Sequence, residues 1–96
     1  MNRQDPIKVA DVMDAYFEAM GVKDKIDEAR IILAWKQLMG SVIAKKTTQL
    51  QVKNGVLYVS LSSPVLRKEL LYMREKMVKQ LNGVLEREFL TDIVFM

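Results

Sequence analysis

Residues 48–62 read TQLQVKNGVLYVSLS, and their pattern decides the fold. Thr48, Leu50 and Val52 alternate with Gln49, Gln51 and Lys53; beyond Asn54-Gly55, Leu57, Val59 and Leu61 alternate with Tyr58, Ser60 and Ser62. A period of two puts one set on each face of a strand. Asn-Gly tolerates two consecutive positive φ angles, which a two-residue hairpin turn requires. Such a turn sets Lys53 opposite Val56, Val52 opposite Leu57, Leu50 opposite Val59 and Thr48 opposite Leu61. Apolar residues then meet apolar residues, so turn chemistry and hydrophobic pattern specify one register. The expected inner face is Thr48, Leu50, Val52, Leu57, Val59 and Leu61. The outer face is Gln49, Gln51, Lys53, Val56, Tyr58 and Ser60.

Upstream of the hairpin the period changes to that of a helix. Asp5-Pro6 reads as a cap followed by proline at the first helical position. Val9, Val12, Met13, Tyr16, Phe17 and Met20 then recur at three- and four-residue steps, up to a C-terminal cap at Gly21. A second helix starts near Asp24 or Asp27 and carries Ile31, Ile32, Trp35, Leu38 and Met39. Gly40 ends or kinks it, and a short helical piece follows around Ser41–Lys45.

Downstream, Ser63-Pro64 repeats the cap-and-proline start and opens a long third helix through about Glu86. Its core line is Leu66, Leu70, Met73, Met77, Leu81 and Val84, widened on one flank by Leu71, Val78 and Leu85. Ile93-Val94-Phe95 reads as a closing strand. The order ααββαβ predicts one α+β domain over residues 1–96, with an antiparallel hairpin and a C-terminal strand forming a three-stranded sheet covered by three helices.

Charge is polarised along the chain. Residues 29–68 contain no Asp or Glu but carry Arg30, Lys36, Lys45, Lys46, Lys53, Arg67 and Lys68. The first 28 residues hold four bases against seven acids, and the last 28 hold four against five. A basic middle of this kind attracts polyanions, with counterion release supplying the affinity. The alternative is a solvated surface countered on folding by acids of the first helix.

Without cysteine the chain has no thiolate chemistry, and without histidine it lacks the commonest general base and metal ligand. Asp11, Asp14 and Glu18 sit at helical spacing, which makes a solvated face rather than an acid–base pair. No enzyme activity, cofactor or metal is expected. No apolar run approaches the roughly 20 residues of a membrane span. The N-terminus has no signal-peptide pattern, so the expected location is the cytoplasm.

Within the basic region, Lys45 and Lys46 fall at a helix-to-strand junction, where ammonium groups and backbone N–H groups face phosphates together. Lys53 at the hairpin tip belongs to the other end of the sheet. Arg67, Lys68, Arg74, Lys76 and Lys79 lie on the third helix, with Lys68, Lys76 and Lys79 in a stripe around Tyr72 that Glu75 interrupts. Tyr72 and Tyr58 are candidates for stacking unpaired bases, or else amphipathic rim residues. Trp35 shares the line of Ile31, Ile32, Leu38 and Met39, which favours core packing over a partner anchor. Leu71, Val78 and Leu85 form a candidate partner-binding flank.

Trp35, Gly40, the basic turn into Leu50, Asn54-Gly55, Leu57 and Val59, followed by Ser62-Ser63, Leu66, Glu69-Leu70, Leu81-Asn82 and Ile93-Val94-Phe95, together resemble the DciA family of bacterial proteins. The resemblance spans about residues 7–96. It implies a KH-like domain in a protein that assists loading or operation of the replicative DNA helicase, and it implies binding to that helicase and to DNA. Two departures stand out. Gly21, Gly40, Gly55 and Gly83 are never three apart, so the G-x-x-G clamp of nucleic-acid-binding KH domains is absent. Many relatives also carry a flexible extension, whereas this sequence ends at Met96, and a short form is expected.

The leading expectation is a non-enzymatic replication accessory that binds the replicative helicase and single-stranded or duplex DNA. The alternatives are an RNA- or ribosome-associated KH-like module, and a protein-interaction domain. The last would be a homodimer joined through Leu71, Val78 and Leu85 or through the open edge of the hairpin.

Overall fold

In the computed structural model, which describes the backbone from Pro6 to Met96 and side chains from Asp11 onward, the hairpin forms around Asn54 (φ 52°) and Gly55 (φ 77°). Both central residues of the turn are left-handed, which keeps the flanking strands in their natural twist. Strands β1 (Thr47–Lys53) and β2 (Val56–Leu61) pair antiparallel, with Lys53 opposite Val56, Val52 opposite Leu57 and Leu50 opposite Val59. At the far end the expected register fails by one residue. Thr47, not Thr48, faces Leu61, across an irregularity between Thr47 and Gln49.

The cause of that shift is a buried indole. Trp35 is fully buried, and its Nε1–H donates to Thr47 Oγ1 at 3.1 Å, while the Thr47 hydroxyl donates to the Ile43 carbonyl at 2.8 Å. A buried N–H without an acceptor is costly, so the strand bulges to turn Thr47 inward. Thr48 is left exposed, its hydroxyl donating to the Ser60 carbonyl.

The third strand, β3 (Asp92–Phe95), pairs parallel with β2, giving the order β1-β2-β3 with β1 at an open edge. A parallel pairing needs a helical crossover. Here it is α4 (Pro64–Leu71) and α5 (Arg74–Leu85), two helices where the periodicity predicts one. Ser63 caps α4 as expected, its Oγ accepting from the Leu66 N–H at 3.2 Å. The break at Tyr72–Met73 rephases α5 relative to α4. Leu70, Met77, Leu81 and Leu85 are buried, whereas Met73 and Val84, both on the expected core line, are exposed.

The remaining helices are α1 (Pro6–Met20), α2 (Lys23–Leu38) and α3 (Gly40–Lys46). The expected order therefore holds, with α3 as the short helical piece and the long third helix divided. Trp35 and Ile31 of α2 meet Leu57, Val59 and Ile93 of the sheet and Met77 and Leu81 of α5 in one core, with Phe95 6.1 Å from the Trp35 ring.

Helix α1 departs from expectation. Val12, Met13, Tyr16 and Met20 are between 45% and 68% exposed, although their spacing predicts a core face. The radius of gyration, 15.1 Å, exceeds the roughly 12.5 Å usual for this length, in keeping with extents of 52 × 25 × 20 Å. The Asp5 cap and the Val9 side chain lie outside the described residues.

Candidate nucleic-acid interface

Four cations of the basic window, Lys45, Lys46, Arg67 and Lys68, lie on elements that meet at one corner of the sheet. Helix α3 ends in Lys45 and Lys46, both exposed. The Lys46 carbonyl accepts from the Ser62 N–H at 2.8 Å and from its hydroxyl at 3.3 Å, which ties the entry of β1 to the exit of β2. Helix α4 leaves from that same exit, with exposed Lys68 and half-buried Arg67. Lys36 of α2 is also exposed and lines a groove with Thr47 and Thr48. Among the described residues no carboxylate forms an ion pair with Lys36, Lys45, Lys46, Lys53, Arg67 or Lys68.

Other candidates lie elsewhere. Lys53 is at the opposite end of the sheet, where Arg74 pairs with Asp92 at 3.2 Å. Lys76 and Lys79 are exposed on α5, and Lys79 shares its groove with Glu75, Glu88 and Asp92, so negative charge is interleaved there. The expected stripe through Lys68, Tyr72, Lys76 and Lys79 is thus broken between two helices. Tyr72 stands at the break itself, 84% exposed.

Among the described residues, Arg30 alone of the basic window is met by an acid of the opening helix. It belongs to an ionic cluster centred on Asp27, whose side chain is fully buried. Lys23 reaches Asp27 at 3.5 Å and Asp14 of α1 at 2.9 Å, and Arg30 approaches both acids at 3.5 Å. Arg87 comes within 2.6 Å of Asp27 Oδ2, a charge contact off the line of a hydrogen bond, and bonds Asp24 at 3.1 Å. It also lies 4.9 Å above the Phe89 ring. The Lys23 hydrogen bond, aided by the Lys23 and Arg30 charges, holds the Asp14 carboxyl below its ordinary pKa. The cluster joins α1, α2 and the segment before β3, which makes it a structural tie.

The expected partner flank is not a continuous surface. Leu71 is 49% exposed, but Val78 packs partly against the core, Leu85 is buried, and Trp35 offers no surface at all. Exposed apolar residues among those described are spread over several elements: Leu33 and Leu38 of α2, Val42 of α3, Val65 of α4 and Val84 of α5 stand singly, whereas α1 carries four on one helix.

Two features have little signal in the sequence. Lys23, Asp27 and Arg30 look like an ordinary solvated i,i+3/i,i+4 charge set on α2, and nothing local says that Arg87, far along the chain, closes over Asp27 and buries it. Asn82 is a clamp: its Oδ1 accepts from the Phe89 and Leu90 N–H groups at 3.2 and 2.8 Å, and its Nδ2 donates to the Leu90 carbonyl at 2.9 Å. In the sequence Asn82 enters only as part of the Leu81-Asn82 element of the family resemblance, with nothing to show that it clamps the segment before β3.

The profile of the family described as Dna[CI] antecedent, DciA, matches residues 8–95 of the 96. The chain belongs to the DciA family. That family is related to loading of the replicative helicase, which makes this chain a DNA-replication accessory with a helicase partner in the general sense. Comparison with curated proteins gave no match. Among the described residues, no helix is long and apolar enough to cross a membrane.

Proposed function

We propose that the protein is a non-enzymatic, KH-like replication accessory that binds single-stranded DNA at its basic corner while it engages the replicative helicase through α1. The observation that carries the DNA reading is the corner itself. Lys45 and Lys46 are exposed and have no carboxylate partner among the described residues, and Arg67 and Lys68 leave on α4 from the strand end to which Lys46 is bonded. Arg30, Arg74 and Arg87, by contrast, are engaged by acids. Tyr72 follows Lys68 by four residues, so a strand held by the corner passes within reach of an aromatic face.

Salt dependence tests this reading. Each phosphate contact on a single strand contributes about 0.7 to the slope of log K against log salt concentration, so Lys45→Ala/Lys46→Ala lowers that slope by about 1.4. Binding of oligothymidylate is measured by fluorescence anisotropy across a salt series, beside a structured RNA at the same salt. An unchanged slope removes the corner from the interface, and tighter binding to RNA replaces DNA as the ligand.

A further inference from the structure

The open edge of β1 has a polarity that the hairpin fixes. In a two-residue hairpin the pair flanking the turn, Lys53 and Val56, exchanges both backbone hydrogen bonds, and bonded pairs then alternate. Gln51 and Gln49 therefore bond to β2, while Leu50 and Val52 turn their N–H and C=O groups outward. The same alternation is visible across β2. The Gly55 carbonyl accepts from Thr91, and the Val59 carbonyl accepts from Met96, toward β3. On the β1 side, the outward groups of Leu50 and Val52 have no partner among the described residues.

A groove of about 240 Å³ runs beside this edge, walled by Ile32, Ala44 and Leu50, with Lys36, Thr47 and Thr48 at its lip. Lys45 and Lys46 stand at one end of β1 and Lys53 at the other. The edge thus offers backbone pairing, a groove of mixed lining with an aliphatic patch at Ile32, Ala44 and Leu50, and positive charge together.

The chemistry of the edge narrows its occupant. A second copy paired antiparallel through β1 brings Lys53 of one chain toward Lys46 of the other, setting like charges face to face. A phosphate backbone only accepts hydrogen bonds, so it leaves the outward carbonyls of Leu50 and Val52 unmatched. The groove walls also contain no aromatic ring on which a base could stack. An extended peptide matches both donor and acceptor rows, and alternate side chains enter the groove and face the lysines. We infer that β1 is a docking edge for an extended protein segment that alternates aliphatic with acidic residues, added to the sheet as a fourth strand. Because Lys45 and Lys46 serve both surfaces, that segment and single-stranded DNA bind in competition.

The experiment uses a synthetic peptide alternating Glu or Asp with Ile or Val, titrated into isotopically labelled protein and followed by amide NMR. The expected result is shifts and slowed exchange at Leu50 and Val52. Replacing the peptide acids by Lys, or N-methylating the residues whose N–H faces β1, weakens binding about tenfold, whereas N-methylation at the intervening residues does not. Ala44→Phe fills the groove and weakens binding similarly, and the N-methyl series tests the pairing without any change in the protein. Three results overturn the proposal: no shift at Leu50 and Val52, shifts confined to α4 and α5, or equal effects from the two N-methyl series. Protection of Leu50 and Val52 by oligothymidylate, but not by the peptide, assigns the edge to nucleic acid instead.

Discussion

Asp27 illustrates how one side chain organises distant segments. Its carboxylate has no exposed surface and meets Lys23, Arg30 and Arg87. Removing one member of a buried ion pair leaves the other charges uncompensated, which typically costs about 3–5 kcal/mol. Asp27→Ala is therefore expected to lower the unfolding free energy by about that amount in urea titrations. Asp24→Asn, which alters an exposed contact, changes it by about 1 kcal/mol or less. Asp14 makes a second prediction. Its folded pKa lies below the ordinary 3.8, so its contribution is present above that value and is lost as pH falls through the lower, folded pKa. In an acid titration the amide resonances around Asp14 and Lys23 should move in that window, and Asp14→Asn should abolish the transition.

At the scale of elements, local rules that agree with one another give the right answer. Ser63-Pro64 specifies the start of α4, and Ser63→Ala should cost about 1 kcal/mol of stability by thermal or urea unfolding. Asn54-Gly55 and the alternation around it specify most of the β1–β2 register. The sequence reading fails where a remote group overrides a local pattern. Thr48 has the right period to face inward, yet the Trp35 N–H recruits Thr47 in its place. The apolar line from Leu66 to Val84 is continuous enough for one helix, and no glycine or proline between 65 and 82 marks the break at Tyr72–Met73. The candidate site was legible as a list of lysines but not as a place. The hairpin turn already sends Lys53 to the other end of the sheet, but the bond from Ser62 to Lys46, which sets α4 beside α3, emerges only from the structure.

For the molecule as a whole, polarity is the organising feature. The described part of α1 carries Asp11, Asp14 and Glu18 with no base, beside an exposed stripe of Val12, Met13, Tyr16 and Met20. The basic corner is built from α3, β1 and α4. An amphipathic helix with its apolar side uncovered suits protein recognition, where aromatic and methionine anchors contribute most. Met13→Lys/Tyr16→Glu should accordingly abolish co-purification of the replicative helicase while oligothymidylate binding stays within about twofold, since neither residue belongs to the corner. Retained helicase binding would move the partner surface to exposed Leu71 at the end of α4.

The Asn54-Gly55 turn also bears on chemical ageing. An asparagine followed by glycine is prone to succinimide formation, in which the glycine nitrogen attacks the asparagine side-chain carbonyl. Ring closure requires Asn54 to leave the left-handed conformation that the turn imposes, and the bond from Thr91 to the Gly55 carbonyl holds the tip in place. Deamidation is thus suppressed while the hairpin is intact. Once it occurs, the isoaspartyl product adds a methylene to the main chain between the strands, and a tip built for two residues no longer fits. Damage at this one peptide would therefore propagate into strand pairing, so that an old, partly unfolded population would fail to refold to the original register.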